Sequence, residues 1–93
     1  MRLKENEIAA IKSVVKKYDE NAAVYLFGSR TDDKKRGGDI DILVISDKIK
    51  LSEKIKIKTN LYKLIGEQRI DLVAVPELNT AFLKYIFERS VPL

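Results

Sequence analysis

Three aspartates in this 93-residue chain lie within or next to segments that are otherwise apolar. Asp39 and Asp41 bracket the start of the run Ile40–Ile45, and Asp71 is the second residue of the run Ile70–Val75. Aspartate is depleted from strand interiors, so these carboxylates need an interaction that compensates their charge. Alternation places Asp39 and Asp41 on one face of a strand, with Cα atoms about 6.6–6.8 Å apart, a separation that two carboxylates can close over a cation.

The arrangement of the strands decides whether the third aspartate joins this pair. In one arrangement, the run 23–27 is antiparallel to the strand over 40–45, and the strand over 70–75 is parallel to it. All three aspartates then meet at one edge of the sheet, beside the end of the first strand. Two divalent cations about 3.5–4 Å apart would relieve their repulsion and bind phosphate oxygens, and Mg²⁺ suits such carboxylate sites.

The dipeptide Gly28–Ser29, at the end of the first apolar run, suits a phosphate group. Glycine lets the backbone approach a ligand closely, and the following turn can direct N–H groups at a polyphosphate. Arg30 offers a guanidinium that pairs bidentately with phosphate. Alone, Gly-Ser or Asp-x-Asp is more often an ordinary turn or loop, but their combination indicates a nucleotide site.

Other charged residues have simpler interpretations. Asp71 has the alternative of an ion pair with Arg69 or Lys63. The cluster 34–36 is interpreted as a solvated loop, although it could attract a triphosphate or an acidic partner. The lysines at 48, 50, 54, 56 and 58 are interpreted as a solvated face.

Periodicity predicts the elements that position these residues. The segment 52–66 has a strand-like alternation at 54–58, but a parallel connection needs a crossover of a dozen or more residues, so we predict a helix. The fold class is therefore α/β (α+β), a small mixed β-sheet flanked by helices in the order α-β-β-α-β-α. The predicted elements are a helix from an Asn6 cap to Tyr18, strands over 23–27 and 40–45, the helix ended by Gly66, a strand over 70–75, and a final helix capped by Asn79 or Thr80.

The final helix is strongly apolar, and its faces bear on partner binding. We predict that Phe82, Tyr85 and Ile86 form its buried stripe and that Leu83 and Phe87 form an exposed partner surface. The alternative is that the tail 91–93 folds back and covers them.

Composition excludes several classes of protein. The 10.6 kDa chain has no cysteine or histidine, which excludes zinc fingers, thiol catalysis and Ser-His-Asp triads. We expect one domain, 1–93, that is marginally stable alone or stabilised by a partner. The charged start and the short apolar runs predict a cytoplasmic protein without a membrane span. The net charge of +4 is interpreted as serving solubility first.

The chain contains Phe27-Gly28-Ser29-Arg30 and, with nine residues between Ser29 and Asp39, the segment Asp39-Ile40-Asp41-Ile42-Leu43-Val44. This combination resembles the nucleotidyltransferase signature of the DNA polymerase beta superfamily. In so small a chain it resembles the minimal nucleotidyltransferase (MNT) branch, whose members are antitoxins beside HEPN-domain toxins. The resemblance implies the polymerase-beta-like fold. It further implies that Gly28 and Ser29 hold the β and γ phosphates, that Asp39 and Asp41 ligate Mg²⁺, and that Asp71 is the third carboxylate. Thr31-Asp32-Asp33 stands where many relatives have Ala-Arg-Gly.

The resemblance also implies a reaction and a partner. The enzyme would transfer AMP from ATP to a tyrosine of a HEPN ribonuclease toxin, which silences it, and the two proteins would form a hetero-oligomer. The alternatives are an antitoxin that neutralises its toxin by binding alone, and an enzyme that modifies a small molecule or an RNA. Direct binding of nucleic acid is not expected.

Overall fold

The computed structural model describes residues 3–28, 39–66 and 68–93. The predicted order α-β-β-α-β-α is confirmed, and a short fourth strand follows the last helix. The helices and strands are α1 (Glu5–Tyr18), β1 (Ala23–Phe27), β2 (Ile40–Ile45), α2 (Leu51–Ile65), β3 (Ile70–Val75), α3 (Ala81–Glu88) and β4 (Val91–Pro92). Ser29, Arg30 and the cluster 34–36 lie outside the described residues.

The four strands form one mixed sheet in the order β3-β2-β1-β4. β2 is antiparallel to β1 and parallel to β3, which is the arrangement that brings the three aspartates to one edge, and β4 is antiparallel to β1. The segment after β2 is helical, and this helix provides the crossover that parallel pairing requires. None of the described helices is long and apolar enough to cross a membrane.

Helices cover both faces of the sheet. α1 and α2 pack on one face against alternate residues of the strands, and α3 packs on the other face around Leu43. This double coverage explains why β2 is apolar on both faces except at Asp41. The larger core includes Ile11, Val15, Leu26, Ile42, Val44, Ile57, Leu61 and Leu72.

The start of α1 differs from the prediction. The helix begins at Glu5, before the predicted Asn6 cap, and its N-cap residue is Lys4. The backbone N–H of Lys4 donates to the carboxylate of Glu7, 2.9 Å away. A glutamate at the third helical position thus provides the side-chain acceptor that we expected from Asn6.

The orientation of α3 also differs from the prediction. Leu83 and Ile86 are buried, whereas Phe82 is 65% exposed and Tyr85 is 55% exposed. The ring of Phe87 packs edge-on against a β1 tyrosine, so the predicted partner surface of Leu83 and Phe87 is wrong. A buried stripe at 83, 86 and 87 has the same helical spacing as one at 82, 85 and 86, and packing chooses between them.

The ends of α3 and the tail are now explained. The N–H of Leu83 donates to the Thr80 hydroxyl at 3.1 Å, so Thr80 is the cap. The alternative in which the tail covers α3 is also wrong. Residues 91–92 pair with β1 as β4, and Leu93 packs against the core of α1 and α2.

A buried polar contact fastens the end of α1 to the end of β2. The hydroxyl of Ser46 donates to the carboxylate of Asp19 at 2.5 Å, and the N–H of Asn21 donates to the same carboxylate at 3.0 Å. These hydrogen bonds lower the pKa of Asp19, the Ser46 bond most strongly. The contact lies at the opposite end of β2 from Asp41.

Candidate active site

The three predicted aspartates lie together where β2 and β3 begin. Asp41 is in register with Asp71 across the parallel pair, so both side chains emerge from the same face of the sheet. Asp39 is the residue before β2. One carboxylate oxygen of each residue lies within 4.8 Å of those of the other two. The strand arrangement thus produces the carboxylate cluster expected from the sequence.

This arrangement disfavours the charged form of Asp41. Its pKa is raised to about 6, first because partial burial disfavours the charged form. A hydrogen bond with Asp71 and the negative charges of Asp71 and Asp39 raise the pKa further, while Arg69 lowers it. The cluster therefore holds more negative charge than its surroundings neutralise.

Arg69 forms an ion pair with one member of the cluster, Asp39. Its Nε lies 3.3 Å from a carboxylate oxygen of Asp39, so Arg69, an alternative partner of Asp71 in the sequence analysis, forms its ion pair with Asp39. The arginine side chain is 80% exposed, so this ion pair contributes little stability. An entering cation can therefore displace it at small cost.

Gly28 borders the cluster from the end of β1. Its φ of +78° lies in the left-handed region that favours glycine. A Cβ at this position would overlap the Asp41 carboxylate, whose Cγ lies 3.0 Å from the ideal Cβ position. The sequence suggested that glycine admits a ligand; the structure shows that it also makes room for Asp41. The roles of Ser29 and Arg30 remain predictions.

A cleft of about 530 Å³ opens beside Asp41 and Asp71. Lys54 and Lys58 of α2 are half-buried and line it, whereas the sequence interpretation placed both on a solvated face. Their four-residue spacing on the helix that joins the two aspartate-bearing strands is the signal that could have identified them. The remaining lining residues are Phe27, Leu51, Ile55, Leu72 and Val73.

The cluster fits a divalent cation. Carboxylate oxygens are the hard donors that Mg²⁺ prefers, and three of them come within 4.8 Å of one another. Burial is the first cause of the raised pKa of Asp41, and the negative charges of Asp71 and Asp39 raise it further; a bound cation would offset those charges.

The sequence model of the family described as polymerase beta, nucleotidyltransferase matches residues 9–93. The chain belongs to this family. The match includes all four strands and the three aspartates, which confirms the predicted superfamily and its fold. No curated protein matches the chain significantly. Membership makes this domain a nucleotidyltransferase, and its placement in the MNT branch remains a prediction.

Proposed function

We propose that this nucleotidyltransferase transfers AMP from ATP to a hydroxyl group of a partner protein. The observation that carries the proposal is the cluster of Asp39, Asp41 and Asp71 beside an open cleft, in a chain of the polymerase beta family. The hydroxyl oxygen forms a bond to the α-phosphorus of ATP. The bond from that phosphorus to the bridging oxygen breaks, and pyrophosphate leaves with the electron pair.

The three carboxylates have different tasks in this reaction. Asp39 and Asp41 hold Mg²⁺, and we expect two ions to bind. The metal supplies positive charge that offsets the charge developing on the triphosphate and on the leaving group. Asp71 lies on the exposed edge strand and accepts the proton of the attacking hydroxyl.

The triphosphate lies at the end of β1. Phe27 is in register with Asp41, and Gly28, the next residue, borders the Asp41 carboxylate. Gly28, Ser29 and Arg30 hold the phosphates there, with backbone N–H groups and a guanidinium as donors. Positioning and charge neutralisation supply the catalysis.

We propose a HEPN-domain ribonuclease toxin as the partner and one of its tyrosines as the acceptor. This chain then acts as the antitoxin in a cytoplasmic hetero-oligomer. Support comes from the likeness of the segments 27–30 and 39–44 to the superfamily signature, which in so small a chain resembles the MNT branch. Phe82 and Tyr85 of α3 add exposed apolar area of the kind that protein partners cover.

The experiment combines the chain with ATP, Mg²⁺ and the purified HEPN partner and measures the intact mass of the partner. We expect a mass gain of AMP together with loss of ribonuclease activity. The control is Asp39→Asn with Asp41→Asn, which should remain folded and transfer nothing. Neutralisation without a mass change would instead establish an antitoxin that acts by binding alone.

A further inference from the structure

β3 is the edge strand of the sheet nearest the carboxylates. The carbonyls of Arg69 and Val75 accept hydrogen bonds from the N–H groups of Ile40 and Ser46, at 2.9 Å each. Backbone groups of a strand alternate in direction, so the residues between these two ends that share their parity also face β2. The other residues direct their N–H and C=O groups away from the sheet. Those residues are Ile70, Leu72 and Ala74.

No strand covers this edge within the part of the chain that the structure describes. β3 pairs with β2 alone among the described strands. An open edge with unpaired N–H and C=O groups is a template for another extended polypeptide. The edge includes Asp71, so such a polypeptide would pass directly beside the candidate site.

One side of α2 flanks the same edge. Leu51 is 70% exposed and Ile55 is 58% exposed, and the two lie one helical turn apart. Lys54 and Lys58 are also one turn apart and line the cleft with them. Among the described residues, no carboxylate forms an ion pair with either lysine. The flank thus offers apolar area and two positive charges.

The order of the strands assigns this flank to the acceptor. Gly28 follows β1, on one side of Asp41, and Asp71 lies on the other side, at the β3 edge. If the triphosphate lies at the β1 end, the acceptor reaches the cluster from β3. This step rests on the proposed function.

We propose that the acceptor protein docks as an extended segment along the outer edge of β3, with its acceptor hydroxyl beside Asp71. Its apolar side chains contact Leu51 and Ile55, and an acidic side chain near the hydroxyl faces Lys54 and Lys58. Added strands obtain their affinity from main-chain hydrogen bonds and their specificity from alternate side chains. The exposed apolar side chains of this flank, Leu51 and Ile55, are aliphatic, whereas single-stranded RNA stacks its bases on aromatic side chains, and this favours a polypeptide.

The test uses immobilised nonapeptides with a central tyrosine and random flanks, together with oligoribonucleotides as the competing acceptor class. Binding of the labelled protein is measured first without ATP. Transfer is then measured with Mg²⁺ and ATP labelled in the α-phosphate. We expect the protein to select peptides with an acidic residue near the tyrosine and apolar residues at alternate positions.

Charge reversal in α2 provides the decisive comparison. Lys58→Glu should weaken binding of the acidic peptides about tenfold and shift selection toward basic ones. Lys56→Glu makes the same charge change at an exposed position that does not line the cleft, and it should retain the acidic preference. Thermal melts establish that both variants are folded. N-methylation of successive amides in a selected peptide should abolish binding at every second position.

Each other result has a defined meaning. Selection that ignores Lys58→Glu, or N-methylation effects without a two-residue period, would overturn the docking mode. Labelling of oligoribonucleotides alone, or a dimer in light scattering that the same variant dissociates, would give the edge a different occupant and also overturn it. If the expected peptides bind but no acceptor gains AMP, the docking surface is supported and the proposed transfer is refuted.

Discussion

Replacing Asp41 by asparagine tests whether the negative charge of this residue destabilises the fold when no cation is bound. Asparagine keeps the size of the side chain and an N–H group that can donate to Asp71, but it removes one negative charge. The pKa of Asp41 in the wild type, about 6, exceeds the ordinary value of 3.8. This difference corresponds to at most about 3 kcal/mol of destabilisation of the fold at neutral pH. Water around this half-buried group reduces our expectation to about 1 kcal/mol.

The sign of the pH dependence follows from proton binding. The folded protein binds the Asp41 proton more tightly than the unfolded chain does, so its stability decreases as pH rises from about 4 to about 6. Above that range the loss is constant. The stability advantage of Asp41→Asn over the wild type should therefore grow from near zero at pH 4 to about 1 kcal/mol at pH 8. This corresponds to about 4–8 °C in Tm for a domain of this size.

The assay is urea denaturation in EDTA across this pH range. Asp47→Asn is the matched control, because it makes the same substitution at an exposed aspartate beyond the other end of β2, away from the carboxylate cluster. Adding Mg²⁺ should stabilise the wild type more than Asp41→Asn and so reduce the advantage of the variant. A variant that is less stable than the wild type by the same amount at every pH would refute the argument that burial and neighbouring carboxylates make the charge of Asp41 unfavourable.

Three further predictions concern the surroundings of the site, the packing of α3 and the hydrogen bond between Ser46 and Asp19. Gly28→Ala should destabilise the fold by about 1–2 kcal/mol through its left-handed backbone and should also abolish transfer, because the new Cβ displaces the Asp41 carboxylate; urea denaturation and a transfer assay measure the two effects. Leu83→Ala should cost about 2–3 kcal/mol and Phe82→Ala less than about 0.5 kcal/mol, and equal thermal melts would contradict the orientation of α3. Ser46→Ala should lower the urea midpoint at neutral pH. That loss should diminish as pH falls toward the ordinary carboxyl pKa and below it, because the lost hydrogen bond holds the pKa of its carboxylate partner low; a loss independent of pH would count against this.

Much of the fold could be predicted because its signals are local. The apolar runs at 23–27, 40–45 and 70–75 have strand lengths, and the long segment between the last two is sufficient for a helical crossover. From those two facts follow the parallel pairing and, with it, the meeting of the aspartates. The two-residue strand β4 has no such signal, because two residues form a strand only when a partner edge lies beside them.

Parts of the candidate site could not be predicted, because they depend on distances between segments remote in sequence. Alternation put Asp39 and Asp41 on one face, but Arg69 pairs with Asp39 rather than Asp71 because of how the ends of β2 and β3 are placed. The four-residue spacing of Lys54 and Lys58 puts them on one side of α2, but only the packing of α2 beside β3 decides that this side lines the cleft.

By itself the sequence determined the types and order of the main elements and the identity of the three acidic residues, since period-two and period-3.6 patterns arise within single segments. The tertiary structure alone decided which stripe of α3 is buried. Stripes containing Phe82 or Leu83 are equally regular, and only contact with Leu43 and its neighbours on the sheet favours Leu83. The tertiary structure also decided why residue 28 is glycine, because the Asp41 carboxylate occupies the space that a side chain there would fill.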